Sequence, residues 1–385
     1  MTRLISYLEG NKWIWGIVFL LSIFSLLVVY SASSNLAYAH HGGSTFSILS
    51  RHAMYMVGGL LIMYAVHKVN TRFLVNLSLI LLPFAVLFLV LTLFTGTTIA
   101  DANAARWIRI PYINVNFQSS ELAKIALIMY VARYLDIERD FFSNFKRTFW
   151  RLYVPVFGVC MLILPANFST AAILFAICFL LLFIGQYPGK YLLRMLAIAF
   201  SGLALFVLVV LAFPNISNRV DTWKSRIENF ASPDEESSYQ VTKAKTAIAT
   251  GGLFGKGAGK STQKNFLPQS TSDFIFAIIA EEWGFVGAGF LLLLYLMLFV
   301  QVLRIAYKAD SLFGGFLVLG LGTLIMTQAM VNMGVAVSIF PVTGQPLPLV
   351  STGGTNIWMT CVMLGLIVAY SRKPKLNNEM IHEAA

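Results

Sequence analysis

Long apolar stretches, separated by short polar ones, run along almost the whole of this chain. Most of the apolar stretches have roughly 20 residues, the length that an α-helix needs to cross the hydrocarbon core of a bilayer. The pattern predicts ten spans, at residues 12–32, 50–68, 73–95, 119–136, 152–166, 168–186, 190–213, 273–302, 311–337 and 350–371. The fifth and sixth spans are separated only by a tight turn near Pro165. We therefore predict an all-α polytopic membrane protein with ten transmembrane helices.

The composition agrees with this fold class. The chain has 385 residues, of which 58% are hydrophobic and only 12% are charged, whereas a soluble domain carries about 25% charged residues. Within a bilayer each backbone polar group must be satisfied inside its own segment, which favours helices. Because no internal or inverted repeat is visible, we expect residues 1–385 to form a single integral membrane domain. The apolar run 14–30 is long and has no convincing cleavage site, so we expect a retained span rather than a signal peptide.

Two segments outside the spans are irregular. The first is a long polar loop at 214–272, between helices seven and eight, which holds a short amphipathic helix near 239–250 and a glycine-rich run at 251–261. The second is an outer segment at 338–350, in which three prolines, together with glycines in and just after it, exclude regular helix. Irregular backbone at membrane depth must be buried by protein or line a cavity. The second segment is therefore interpreted as a re-entrant wall of a cavity, or as a rigid outer loop.

Basic residues set the predicted orientation of the chain. The short loops on the outer side hold only Arg51, Arg106 and Arg109. The segments assigned to the inner side hold Arg3, Lys12, Lys68, Arg72, Arg133, Arg139, Lys146, Arg147, Arg151, Lys190, Arg194, Arg304, Lys308, Arg372, Lys373 and Lys375. This asymmetry places both termini in the cytoplasm and the long loop outside the cell membrane. The net charge of +11 suits anionic headgroups and phosphate-bearing substrates, and its scattered distribution argues against nucleic acid.

One acid is placed where chemistry on a lipid-borne substrate is possible. Asp273 lies where the long polar loop meets the eighth span. Acids at membrane depth are costly and usually functional, so Asp273 is a candidate general base, with a helix cap as the alternative. Glu281 and Glu282 lie about 12 Å deeper at the rise of an α-helix. We interpret these two as helix-packing or cavity polar groups.

The glycine-rich run carries basic residues that suggest an anion site. Gly259-Lys260-Ser261 resembles the end of a nucleotide-binding loop, but Phe254 occupies a position where that motif requires glycine, and no buried strand precedes it. Two interpretations remain open. In the first, backbone N–H groups together with Lys256, Lys260 and Lys264 bind a pyrophosphate. In the second, the segment is a flexible hinge with solvated lysines.

A charge pair opens the fourth span. Glu121 and Lys124 are three residues apart and share a helix face, so they either face a wet cavity or form a structural ion pair. Ser119 or Ser120 is predicted to be the N-cap of this helix. Arg106, in the loop before it, is either a substrate contact or an interfacial anchor.

Other polar or reactive residues have structural interpretations. Gln328 and Asn332, four apart in the ninth span, are expected to form interhelical hydrogen bonds. Cys160, Cys178 and Cys361 lie in apolar runs without metal-ligand spacing, so we expect small core residues and no metal site.

Several segments of this chain resemble motifs of the SEDS proteins (shape, elongation, division and sporulation), that is, FtsW and RodA. The segments occur in the same order as in that family. They are Gln118-x-Ser120-Glu121-x-x-Lys124, Asp273-Phe274-Ile275-Phe276-Ala277 with Glu281-Glu282-x-Gly284, and Leu347-Pro348-Leu349-Val350-Ser351-x-Gly353-Gly354. The sequence around Tyr239-Gln240 and in the glycine-rich run that follows resembles the FtsW branch more than RodA. Departures from the family, such as Asn103-Ala104 before Arg106 and Ser119 after Gln118, leave Asp273 untouched.

The resemblance implies an enzyme, a peptidoglycan glycosyltransferase that polymerises lipid II at the outer face of the cytoplasmic membrane during division. It implies a class B penicillin-binding protein and other divisome proteins as partners, and Asp273 as the catalytic residue. Pyrophosphate leaves well, so one base with nearby cations suffices for the inverting reaction. Candidate substrate-binding residues are Arg106, Lys124, Glu121, Lys264, Lys260, Gln240 and Ser351. A divalent cation, Mg or Mn, is compatible with the pyrophosphate.

Two other functions compete with the enzyme. A lipid II flippase should have polar residues through the full depth of a cavity, whereas here they cluster toward the outer half. A scaffold that recruits a class B penicillin-binding protein would not need Asp273 for division. Transport without polymer would indicate the flippase, and full function of an Asp273→Asn protein would indicate the scaffold.

Overall fold

The computed structural model describes residues 8–33, 45–95, 107–110, 115–212, 239–267 and 270–372. Within these ranges the chain is mainly helical, with one two-stranded antiparallel hairpin of β1 (Trp107–Ile110) and β2 (Val115–Gln118). The helices are α1 (Lys12–Ala32), α2 (Thr45–Val66), α3 (Arg72–Thr95), α4 (Ser119–Ile137), α5 (Phe145–Thr148), α6 (Val154–Ile163), α7 (Phe168–Ile184), α8 (Gly189–Ala212), α9 (Tyr239–Gly251), α10 (Ile275–Tyr307), α11 (Leu312–Ala336) and α12 (Gly354–Ala369). A π-helical turn at Phe149–Tyr153 joins α5 to α6.

The helices confirm a polytopic membrane protein. Among the described residues, six helices are long and apolar enough to cross a bilayer, namely α1, α2, α3, α8, α10 and α11, while α7 and α12 are shorter apolar helices. Each predicted span overlaps a helix, with shifted ends. For example, α10 continues to Tyr307 rather than ending at 302, because a helix satisfies its own backbone and need not stop at the membrane surface. The amphipathic helix predicted near 239–250 is confirmed as α9.

Helix starts follow local capping chemistry in several places. The side chains of Asn11, Asn167 and Ser311 accept hydrogen bonds from backbone N–H groups in the first turns of α1, α7 and α11. The predicted serine cap of α4 is wrong, since the helix begins at Ser119 directly after β2 and Gln118 holds the cap position without a side-chain bond. The Ser119 hydroxyl instead accepts a 2.8 Å hydrogen bond from Thr92 Oγ1.

The two ends of the described chain meet at one end of the bundle. The backbone N–H of Asn11 donates to Ser371 Oγ at 2.7 Å, and the Asn11 side-chain amide donates to Gln301 Oε1 at 3.1 Å. Arg372 also donates to the carbonyl of Val69 at 2.7 Å. The start of α1, the end of α10 and the end of α12 therefore lie together at one end of the helix bundle.

An ion-pair cluster around Glu138 lies just after α4, on the predicted inner side. Glu138 accepts from Arg147 Nε at 2.6 Å and from Arg151. Burial raises the pKa of the Glu138 carboxyl, but the two arginines outweigh burial and hold this pKa below its ordinary value. The ion pairs of Glu138 with Arg147 and Arg151 fix the polar turn between α4 and α5.

Candidate functional site

Asp273 lies in a turn just before α10, and the backbone of this turn is held by side chains from two other segments. The carbonyl of Thr271 accepts from Thr352, whose N–H lies at 2.9 Å and whose hydroxyl lies at 3.0 Å. The carbonyl of Ser272 accepts from Ser351 Oγ at 2.6 Å, and that of Asp273 from Asn332 Nδ2 at 3.0 Å. Three successive carbonyls are thus tied down, which places the half-buried Asp273 side chain on a rigid support.

The support is the irregular segment at 341–353, which precedes α12. Its residues Gln345, Leu347 and Leu349 are buried. The Asn332 amide that bonds to Asp273 also donates to the carbonyl of Gln345 at 2.8 Å, and Gln345 Nε2 donates to Thr170 Oγ1 at 2.8 Å. The segment is therefore buried by protein beside the Asp273 turn, as irregular backbone at membrane depth requires.

Asn332 and Ser351 both connect the irregular segment at 341–353 to the Asp273 turn. Asn332 was expected to form interhelical bonds, but its amide joins two non-helical backbone segments, and Gln328 Nε2 lies 3.5 Å from Gln345 Oε1. Ser351, a predicted substrate-binding residue, is fully buried and also accepts a hydrogen bond from the N–H of Leu347 at 2.8 Å. Its hydroxyl is occupied in orienting the Asp273 turn.

Helix α10 is broken at Gly284, about three helical turns after Asp273. Gly284 has φ +67° and ψ −166°, which interrupts the helical hydrogen bonds that would link residues 281 and 282 to 285 and 286. The carbonyls of Glu281 and Glu282 accept instead from the N–H groups of Lys256 and Gly257, each at 3.0 Å. In exchange, the N–H groups of residues 285 and 286 donate to the carbonyls of residues 252 and 253, at 2.9 and 3.1 Å. Residues 251–264, here called the glycine loop, thus complete the broken helix.

The carboxylate of Glu281 anchors the glycine loop. This side chain is fully buried and accepts from Lys256 Nζ at 2.6 Å, from Thr262 N at 3.1 Å and from Thr262 Oγ1 at 2.9 Å. It also accepts from Gln263 N at 3.2 Å and from the hydroxyl of Ser261. A buried carboxylate is stable only when its oxygens are saturated in this way.

The neighbouring Glu282 joins the loop to the first span. Its carboxylate accepts from Ser31 Oγ at 2.5 Å and from Ser261 N at 3.2 Å. The Lys264 amine donates to the carbonyl of Ser31 at 3.2 Å and to that of Gly259 at 2.9 Å. The acid pair was interpreted from the sequence as helix-packing or cavity groups; in the structure it binds a loop whose residues lie about twenty positions earlier.

The glycines of this loop are explained by close backbone contact. A Cβ added at Gly251 would lie 1.9 Å from the carbonyl oxygen of Ala280, and one at Gly255 would lie 2.2 Å from that of Glu282. These contacts leave no room for any side chain. Of the three loop lysines, Lys256 and Lys264 bond to protein acceptors, while Lys260 is exposed.

Glu121 and Lys124 form a buried ion pair of 2.7 Å within α4. The second carboxylate oxygen of Glu121 is buried without a hydrogen-bond partner. A small pocket lies at the start of the same helix, where Gln118, Ser120 and Asn167 are among its lining residues. The ion pair itself is desolvated, since both of its side chains are buried.

Two predicted substrate-binding residues remain, Gln240 and Arg106. Gln240 is half-buried at the second position of α9, and Arg106 lies outside the described residues. In the part of the chain that the structure describes, no group of three His, Cys, Asp or Glu side chains is arranged to hold a metal ion. The roles of all these residues toward a substrate stay predictions.

Known proteins resemble this chain over most of its length. A family model described as "Cell cycle protein", which carries the names FtsW, RodA and SpoVE, matches residues 11–376. A "Probable peptidoglycan glycosyltransferase FtsW" of Geobacter metallireducens is 32% identical over 362 residues, which cover 92% of each chain. The "Stage V sporulation protein E" of Bacillus subtilis is 31% identical, covering 92% of this chain and 95% of that protein.

Solved structures show the same architecture. One, described as "Structural coordination of polymerization and crosslinking by a peptidoglycan synthase complex", contains a chain that superposes with a TM-score of 0.71 at 26% identity, covering 94% of this chain and 97% of that one. The rod shape determining protein RodA of Thermus thermophilus superposes with a TM-score of 0.65 at 25% identity, with the same coverage.

Proposed function

The chain belongs to the family of FtsW, RodA and SpoVE cell cycle proteins, and on this premise we propose that it is a peptidoglycan glycosyltransferase that polymerises lipid II during cell division. The observation that carries the proposal is the support of Asp273. Its turn is held by Asn332, Ser351 and Thr352 at the boundary between loop and membrane helix. A general base needs such fixed placement relative to its substrate.

In the proposed reaction Asp273 is the base. It takes the proton from the 4-hydroxyl of the acceptor sugar while that oxygen attacks the anomeric carbon of the donor. A β-1,4 bond forms, the bond from the anomeric carbon to undecaprenyl pyrophosphate breaks, and the centre inverts. Pyrophosphate departs as an anion, so no second carboxylic acid is required to protonate it.

Basic residues would stabilise the departing pyrophosphate. The exposed ammonium group of Lys260 is available for direct contact, and we propose Arg106 as a second contact. Lys124 is bonded to Glu121, and Lys264 is bonded to two backbone carbonyls. The proposed role of these two lysines is therefore to organise the site. Gln240 and Ser351 are further proposed substrate-binding residues. Among the described residues, no group of His, Cys, Asp or Glu side chains forms a metal site. We propose that an Mg or Mn ion can accompany the pyrophosphate of the substrate, and the steps given above are written without it.

The proposed placement in the cell follows from the topology. We propose ten membrane crossings, with the long loop outside the cytoplasmic membrane and both termini in the cytoplasm. The bond between Asn11 and Ser371 supports a common side for the two ends. The proposed partner is a class B penicillin-binding protein, together with other divisome proteins at the septum.

Polymerisation of fluorescent lipid II by the purified protein tests the proposal. The protein is assayed with and without a class B penicillin-binding protein, and glycan strands are resolved by gel electrophoresis and digested with a muramidase. We expect a muramidase-sensitive ladder. Absence of polymer with the partner present, together with transport of labelled lipid II across liposomes, would instead indicate a flippase.

Asn332 offers a test of the support for Asp273. In an Asn332→Leu protein the carbonyls of Asp273 and Gln345 lose a shared donor, and misplacement of a reacting group by about 1 Å costs about 100-fold in rate. We expect kcat for polymerisation to fall by about 10- to 100-fold with KM for lipid II little changed. Asn76→Leu, at an exposed position of α3, is the matched control and should stay within about 3-fold of wild type. Equal losses in the two variants would contradict a positioning role for Asn332.

A further inference from the structure

The tip of the glycine loop presents two large apolar side chains to the surroundings. Leu253 is 64% exposed and Phe254 is 80% exposed. Next to them on α10, Phe285 and Val286 are 72% and 55% exposed. We call these four exposed apolar side chains the loop-tip patch.

Hydrogen bonds hold the loop tip at a defined height along α10. The N–H groups of Phe285 and Val286 donate to the carbonyls of Gly252 and Leu253, at 2.9 and 3.1 Å. The tip therefore lies beside the part of the helix that follows the break at Gly284. Below it, the exposed apolar face of α10 continues through Phe290, Leu293, Leu296, Met297, Val300 and Leu303.

The length of α10 locates this height relative to the bilayer. Arg304 lies near the C-terminal end of α10. This end of the helix contacts the start of α1, since Gln301 accepts a hydrogen bond from Asn11. Nineteen residues separate Phe285 from Arg304, which at about 1.5 Å per residue is about 28 Å. The hydrocarbon core is about 30 Å thick, so the loop-tip patch falls at its outer edge.

From this geometry we infer that the glycine loop inserts Leu253 and Phe254 into the outer leaflet, with bilayer hydrocarbon as the occupant of the loop-tip patch. The patch is continuous with the apolar face of a helix that crosses the bilayer, which favours lipid over a soluble partner. Lys260, further along the same loop, is exposed, and we infer that its ammonium group stays in water. The buried carboxylates of Glu281 and Glu282 lie just outside the insertion point, where the loop screens them from lipid.

Site-directed spin labelling measures this insertion directly. Single cysteines replace Phe254, Lys260 or Phe285 in a full-length chain whose buried Cys160, Cys178 and Cys361 are changed to alanine. Each protein is labelled with a nitroxide and placed alone in phosphatidylethanolamine–phosphatidylglycerol nanodiscs. Relaxation enhancement by oxygen, which concentrates in hydrocarbon, is compared with that by a water-soluble nickel chelate.

We expect oxygen to dominate at positions 254 and 285 and the nickel chelate to dominate at position 260. A label at 254 that behaves like the label at 260 would overturn the inference. Shielding of position 254 from both reagents would also overturn it, because a protein surface rather than lipid would then cover the tip. If the cysteine-free chain does not fold, Phe254→Trp and Lys260→Trp in the native chain serve instead. Brominated lipids should quench the added emission of the first and spare that of the second.

Discussion

Asp273→Asn should reduce lipid II polymerisation by at least about 100-fold, since general base catalysis contributes about 10² to 10⁴ in rate. The amide keeps the shape of the carboxylate but does not accept the proton of the sugar hydroxyl. The turn itself should be unchanged, because the bonds from Asn332, Ser351 and Thr352 reach backbone carbonyls rather than the Asp273 side chain. Loss of activity should therefore occur without loss of folding.

The assay is initial-rate polymerisation by the protein with its class B partner, alongside thermal unfolding in the same detergent. Asp310→Asn provides the matched control, because this exposed acid lies between α10 and α11 on the opposite side of the bundle. We expect the control to keep full activity and both variants to unfold at the wild-type temperature. An Asp273→Asn protein with near wild-type rate would exclude Asp273 as the base.

Glu281→Ala should release the glycine loop and destabilise the protein by about 3–5 kcal/mol, because several donors lose their acceptor and each buried donor left unpaired costs about 1–3 kcal/mol. The substitution strips acceptors from Lys256, Ser261, Thr262 and Gln263 at once. Hydrogen exchange in residues 255–264 should rise sharply, because their amides lose both their acceptors and their cover. Thermal unfolding reports the global effect and exchange mass spectrometry reports the local one.

Two graded variants separate charge from hydrogen bonding. Glu281→Gln keeps one acceptor oxygen and should lose less stability than the alanine variant. Lys256→Met removes only a partly exposed cation, and a pair open to solvent contributes about 1 kcal/mol or less. If all three proteins unfold alike, or if exchange in the loop does not change in Glu281→Ala, the carboxylate does not hold the loop.

Local chemistry explains which parts of the structure could be predicted. Membrane helices follow from runs of apolar residues, and the irregular wall beside Asp273 follows from Pro341, Pro346 and Pro348, which cannot continue a helix. The helix α9 was predictable because its polar and apolar positions alternate with helical period. Each of these signals is contained within a single stretch of sequence.

Contacts between distant stretches could not be predicted in the same way. Gly251 and Gly255 look identical whether they approach a ligand or the backbone of α10, because both cases require only a missing Cβ. The donors to Glu281 come from a different segment, and no local pattern pairs them. A usable signal was present nevertheless: two adjacent acids followed by Gly284 inside an apolar span require many donors, and the preceding loop offers them.

The bond between Ser31 and Glu282 has a consequence for how the protein is made. The two residues are 251 positions apart, so at a synthesis rate of about 5–20 residues per second the first helix waits about 10 to 50 s for its partner. During that interval the end of α1 that carries Ser31 lacks the carboxylate that it will bind. The contact between α1 and α10 is therefore completed only after most of the chain has been synthesised.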